Sequence, residues 1–268
     1  MWRAMWKSTI PSAEDTRKAI LQLDPDDDEA ERDILDDIES RMEDKVDGAL
    51  RMQQASLLSQ LRSADEASLF MQALSSGQAL QPTRSEMEAA LQVALLESVD
   101  LGVNVAIRQL DNVGLGFDWT LANQAAREWA RLHAGELIEQ IDNTTRQQLM
   151  TILAGWIDTR GTFDDLVAAL EPIFGRQRAE LIASTEATRA YAFANRQAYR
   201  EAGIRYMQWQ TAADERVCPI CGVLQGSTTG IDSSFDNVLD QEVRTQFRVS
   251  FQIPPAHPRC RCWIVPVI

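Results

Sequence analysis

The sequence predicts a mainly α protein with a small C-terminal α+β cap, a helical body followed by short β-strands around a cysteine-rich zinc-type knuckle. Three observations carry that expectation. Apolar residues recur at helical spacing through most of the first 202 positions. The period changes to two just after Gly203, and all four cysteines fall in two tight pairs, Cys218 with Cys221 and Cys260 with Cys262, near the end of the chain.

Residues 11–74 read as helical, broken by the acidic run Asp24-Pro25-Asp26-Asp27-Asp28-Glu29, after which Ile34, Leu35, Ile38, Met42 and Val46 keep one apolar face. The run is a solvated helix cap and not a calcium loop. Glu29 stands where such a loop needs glycine, and Leu35 stands where it needs a bidentate glutamate. The Ser75-Ser76-Gly77 and Gln81-Pro82-Thr83 stretches mark a hinge, and Thr83 with Glu86 three residues on has the form of a capping box. A helix then runs to about residue 113 on Met87, Ala90, Leu91, Val93, Ala94, Leu95, Val99 and Val103, and residues 114–118 interrupt it. Residues 120–133 and 137–155 read as two helices split near Gly135, followed by a turn at 158–161 and a helix over 163–174 with Gly175 as its left-handed cap. One long helix over 178–202 closes at Gly203. The expected regions are an acidic helical N-terminal part (1–84), a helical body (85–202) and the cap (203–268).

In the cap, Ile204, Tyr206, Gln208 and Gln210 alternate with Arg205, Met207 and Trp209, which suits a strand, and 263–268 is a second one. Between them lie Cys218-Pro219-Ile220-Cys221-Gly222 and His257-Pro258-Arg259-Cys260-Arg261-Cys262. Two cysteines separated by two residues, and two more at period two in an extended segment, can each turn a pair of sulfurs onto one tetrahedral ion. Gly222 is expected to adopt positive φ and aim backbone amides at sulfur. The four cysteines are the preferred zinc ligands, with His257 a fifth donor that replaces a thiolate or supports one. Arg216, Arg259 and Arg261 flank the ligands and offset the charge of a four-thiolate site. Disulfides, a redox pair and plain reduced cysteines are the competing readings. The segment after Cys221 is rich in Gly, Ser and Thr and lacks the long helix of a thioredoxin-like unit. An ion here is expected to act as a rivet, supplying what a short, apolar-poor terminus cannot.

Net charge is −14, and residues 203–268 balance six basic against six acidic side chains, so the excess belongs to the rest. An acidic body repels phosphate backbones and points to protein partners, leaving only a local arginine patch at the knuckle for DNA. No run of about 18 apolar residues appears and the N-terminus lacks a signal-peptide pattern, so a protein made in a reducing cytoplasm, with no membrane partner, is expected. That favours zinc over disulfides. With only His133 and His257, histidine-rich hydrolytic sites are hard to assemble, the deaminase pattern fails for want of His-x-Glu, and no small-molecule substrate is expected. Glu186 and Arg189, one turn apart, read as a helix-face ion pair or a strut beneath the cap. Trp2, Met5 and Trp6 either anchor in a partner's groove or pack back on the body.

The stretches "RAELIASTEATR", "YMQWQTAADERVCPICGVLQG" and "PPAHPRCRCWIVP" resemble the C-terminal domain of the phage head morphogenesis proteins, minor head proteins typified by protein F of phage Mu. "VNVAIRQL", "AREWARLHAGELIEQIDNTTRQQLMTIL" and "GTFDDLVAALEPIFG" are similar to that family's helical region, so the resemblance covers roughly 85–268. Cys218, Cys221, His257, Cys260 and Cys262 stand at the family's motif positions, as do Glu186 and Arg189. The resemblance implies a non-enzymatic virion component of head assembly, sited at the portal vertex or capsid interior, with portal protein, major capsid protein or packaged DNA as partners. It implies as the alternative a zinc-dependent DNA-contacting module acting in packaging or ejection. No appended C-terminal effector is expected.

Overall fold

The computed structural model describes residues 28–63, 67–111, 115, 119–159, 162–212, 217–247 and 251–268. Trp2, Met5, Trp6, the acidic run before Asp28, and Arg216 lie outside the described residues.

Helix α1 (Asp28–Ser63) buries Ile34, Ile38, Met42, Val46, Ala49, Leu50, Gln53 and Leu57, the recurring one-turn spacing that made it legible. Helix α2 (Ala67–Ser75) leads through a 3₁₀ turn (Gln78–Thr83) into α3 (Arg84–Asp111). The Thr83–Glu86 capping box is replaced by other bonds. The buried Thr83 hydroxyl donates to the Leu80 carbonyl at 3.4 Å, and Glu86 accepts from Ser85 at 2.9 Å. The two helices expected around Gly135 are one, α4 (Trp119–Thr159). A mid-helix glycine costs about 1 kcal/mol, less than the burial of Ala134, Leu137 and Ile138 beside it returns.

Helix α5 (Phe163–Phe174) opens on a capping box between Thr162 and Asp165. Gly175 ends it in extended conformation (φ −84, ψ 168) and not the left-handed one expected. What that position requires is the lack of a side chain, because a Cβ would lie 2.6 Å from the Glu171 carbonyl oxygen. Helix α6 (Arg176–Glu201) ends as predicted. Gly203 has φ 76, its amide donates to the Arg200 carbonyl and that of Ile204 to Tyr199, a Schellman closure.

The chain falls into two compact units. One comprises 42–93 and 131–182. Inside it, Gln53 donates to Asp142 at 3.4 Å, Arg178 donates to the Ile173 carbonyl at 2.8 Å, and Leu166, Leu170, Ile173 and Phe174 are buried. The other comprises 1–41, 94–130 and 183–268. There α3 and α6 meet through alanine and glycine. A Cβ on Gly102 would sit 2.6 Å from the Tyr191 carbonyl oxygen and 2.8 Å from the Ala194 Cβ, so the backbones touch.

The cap carries a three-stranded antiparallel sheet in the order β2-β1-β3, made of β1 (Tyr206–Gln210), β2 (Thr228–Gly230) and β3 (Trp263–Val267). Strands β1 and β3 fall where period two placed them; β2, three residues long, was not anticipated. In register, Trp209 faces Ile264 and Met207 faces Pro266. Trp209 gives its backbone groups to Ser227 and Gly226, so Ile264 turns its own outward, where the Tyr199 hydroxyl donates to its carbonyl at 3.2 Å. Pro266 offers no donor on that edge. The sheet's inner face packs Met207, Trp209 and Ile264 with Ile220, Leu224, Phe235 and Leu239 and with Ala106, Leu110, Ala122, Ala198 and Tyr199 of the helices. Trp209 meets Phe235 edge-on at 5.1 Å. The terminus is therefore not apolar-poor, as the rivet expectation assumed, because it shares its core with α3, α4 and α6.

Among the described residues one stretch, Gln78–Leu110, is long and apolar enough to cross a membrane, and 61% of its apolar window is buried within the protein, as in a core helix.

Candidate metal centre

Three local devices deliver the sulfurs. The first is helix α7 (Pro219–Leu224), with Cys218 as its extended N-cap and Pro219 at its first position. It starts before the segment expected to be non-helical and runs into it only as far as Leu224, and Gly222 is an ordinary helical residue whose amide donates to the Cys218 carbonyl at 2.9 Å. The amide aimed at sulfur belongs instead to Cys221, 3.4 Å from Cys218 Sγ. The second device is the turn 257–260, where the Cys260 amide donates to the His257 carbonyl at 3.2 Å and Arg259 takes φ 60. The third is α6. Thr185 Oγ1 accepts from the Arg259 amide at 3.1 Å, and Thr188 Oγ1 donates to the Cys260 carbonyl at 3.0 Å. Sequence reasoning singled out Glu186 and Arg189 in this stretch and put Thr185 and Thr188 on the packed side of the helix without linking them to the cysteines; two hydroxyls on successive turns of that side were the available signal. Glu186 and Arg189 form the helix-face ion pair, at 3.1 Å.

The two pairs converge. Cys218, Cys221 and His257 place their ligand atoms within 4.8 Å of one another, as do Cys221, Cys260 and Cys262. His257 Nε2 lies 3.1 Å from Cys218 Sγ and 3.3 Å from Cys221 Sγ, and Cys221 Sγ lies 3.8 Å from Cys260 Sγ. All four cysteines are free thiols; Cys221, Cys260 and Cys262 are buried and Cys218 is partly exposed. Hydrogen bonding from Cys221 and Cys262 holds Cys260 far down, at about 2. The same contact with Cys260 pushes Cys221 up, reinforced by Cys262 and by burial. For Cys262 the contact with Cys221 lowers, while Cys260 and burial raise, leaving it at about 12. Sulfurs this close oppose one another's ionisation, and a divalent cation is what would let more than one of them ionise. Soft thiolates with an imidazole suit zinc.

Arg261 lines a cavity of about 60 Å³ with Arg32, Asp36, Glu39, Thr188, Cys262 and others. Burial, reinforced by Asp36 and opposed by Arg261, raises Glu39 to about 8. Arg32 stacks over Trp263 at 3.9 Å. Leu35, where a calcium loop would need its last carboxylate, packs in an apolar cluster with Ile34, Ile38, Leu101, Val105 and Tyr191. His133 lies within α4, far from the cysteines in sequence and absent from both donor groups.

The sequence model of the family described as Phage Mu protein F like protein matches residues 127–265, just over half of the chain, and the matched span contains all five sulfur and imidazole donors. No curated protein and no solved structure matches the chain.

Proposed function

As a member of the Phage Mu protein F-like family the chain is a phage head morphogenesis protein, and we propose that it is a structural component of the head, seated at the portal vertex or capsid interior, whose C-terminal region is fastened by zinc. The supporting observation is the convergence, within the family span, of donors 39 residues apart in sequence on one buried point. Cys218, Cys221, His257, Cys260 and Cys262 are the residues that would hold the ion. Bound there, it would supply a fixed joint between α7 and the segment entering β3 and no chemistry of its own. A protein with two histidines, and with Glu186 and Arg189 tied to each other on a helix face, is read as non-enzymatic.

Portal protein or major capsid protein is the partner we favour over packaged DNA. Net charge is −14, and Arg261, one of the three arginines that would meet phosphate, lines a cavity with Asp36 and Glu39. Co-expression of the tagged chain with the portal protein and with the major capsid protein tests this. Recovery of one of them at moderate salt is expected. Recovery of DNA alone, lost steeply as salt rises, would replace the protein-partner reading with the DNA-contacting one.

A further inference from the structure

The two chelating segments share a pattern that counting cysteines hides. Cys218-Pro219-Ile220-Cys221 and His257-Pro258-Arg259-Cys260 are both donor-Pro-x-Cys. Each is held as a turn that brings its first and fourth residues together. In the first, the Cys221 amide meets Cys218 Sγ at 3.4 Å; in the second, the Cys260 amide meets the His257 carbonyl at 3.2 Å. The second has proline followed by a left-handed residue, Arg259 at φ 60, the arrangement of a type II turn. An arginine there costs roughly 1–2 kcal/mol. Thr185, on the Arg259 amide, and Thr188, on the Cys260 carbonyl, hold the turn in place against that cost.

The imidazole is set for ligation. His257 Nδ1 lies 2.8 Å from the Pro258 carbonyl oxygen. A carbonyl only accepts, so Nδ1 carries the proton, and in the neutral ring Nε2 keeps a bare lone pair. That atom is the one at 3.1 and 3.3 Å from Cys218 and Cys221. The link between the two turns is the 3.8 Å separation of Cys221 and Cys260 sulfurs, about the tetrahedral edge that follows from a Zn–S bond of about 2.3 Å.

From this we infer that a single zinc-type ion is held by Cys218, Cys221, His257 and Cys260, with Cys262 outside the ligand shell as a buried thiol. The inference rests on the metal reading of the preceding section and specifies its ligands, differently from the four-thiolate set expected from spacing. Charge favours it. Three thiolates and an imidazole leave a net charge of about −1 on the zinc, against about −2 for four thiolates, and Arg261 shares its cavity with the carboxylates of Asp36 and Glu39. Cys262 has other company. Its sulfur shares a donor group with Cys221 and Cys260 but not with Cys218 and His257, and it packs in the apolar core cluster that contains Trp209.

The test is cobalt titration of the full chain, in which sulfur-to-cobalt charge-transfer intensity counts bound thiolates. The unaltered protein is expected to take up one equivalent with tetrahedral bands. Cys262→Ser should keep both stoichiometry and intensity, whereas Cys260→Ser and His257→Ala should lose affinity by tenfold or more. A loss of a quarter of the intensity in Cys262→Ser, with His257→Ala unchanged, would overturn the assignment in favour of four thiolates. Cadmium NMR of the unaltered protein guards against a misfolded variant: coupling of bound cadmium to the His257 ring is expected, and its absence excludes this set. If the unaltered protein binds neither metal, the zinc reading beneath the assignment fails as well.

Discussion

Two joins between distant parts of the chain, both made by α6, work by opposite means. Along the seam with α3, side chains are reduced until backbone meets backbone. Gly102 lies against the Tyr191 carbonyl, with Ala183, Ala187, Ala190, Ala194 and Ala198 buried on the same helix. Three residues before Tyr191, Thr188 reaches the Cys260 carbonyl, and there polar donors and sulfur replace hydrocarbon. The first join is tight and unforgiving of any added atom. The second is strict in chemistry, since three of its five donors are buried and their charge has to be matched. A helix built of alanine can serve both because it lets partners close to its axis on every side.

The largest expected effect separates the joins outright. Stripping the metal with a chelator and thiol reagent should remove stabilisation on the order of several kcal/mol from the sulfur side only. Amide exchange should then rise across 217–264 while 42–93 and 131–182 keep their protection, and the near-ultraviolet signal of Trp209 should fade with most helix signal retained. Simultaneous loss of protection everywhere would show that the two joins stand or fall together.

Next in size is Gly102→Ala. At an exposed helical site the change would stabilise by up to about 1 kcal/mol. At this one the new methyl meets a carbonyl at 2.6 Å, so a loss of about 1–3 kcal/mol is expected, read from urea denaturation with metal affinity unchanged. A gain in stability would mean that the seam is not backbone-tight.

Most of the fold was legible because apolar spacing reports burial, and burial decides helices this long. Ile34 through Val46 on α1 and the strand at Trp209 were read from period alone. The failures are local. Gly135 and Gly175 were treated as punctuation, yet one sits inside α4, where flanking burial outweighs its propensity, and the other matters for a steric reason that no period carries. Strand β2 is too short for alternation to appear. At the site, spacing picked out the five residues whose donor atoms gather in two overlapping groups, but it misplaced a support. Gly222 was given the role that the Cys221 amide fills, and the cavity that Arg261 shares with Asp36 and Glu39, more than two hundred residues away in the chain, was not foreseen. Which charge a side chain faces depends on tertiary neighbours, and sequence spacing is silent about those.

The smallest expected effect falls on Thr188, which reaches the sulfur side from one turn before the seam residue Tyr191. It is 1% exposed, one turn from Tyr191, and its hydroxyl is the donor to the Cys260 carbonyl. Thr188→Val keeps the branched shape against neighbouring helices and deletes the donor, leaving a buried carbonyl unsatisfied at a cost of about 1–2 kcal/mol. If Thr188 acts on the sulfur side, metal affinity should fall about tenfold with it, and Thr188→Ser, which restores the hydroxyl while removing a methyl, should recover affinity but not all of the stability. If it serves only the seam, the order reverses: valine would hold affinity and most stability, and serine would lose stability through the missing methyl. Urea denaturation and zinc competition on the two variants therefore decide which join α6 uses this side chain for.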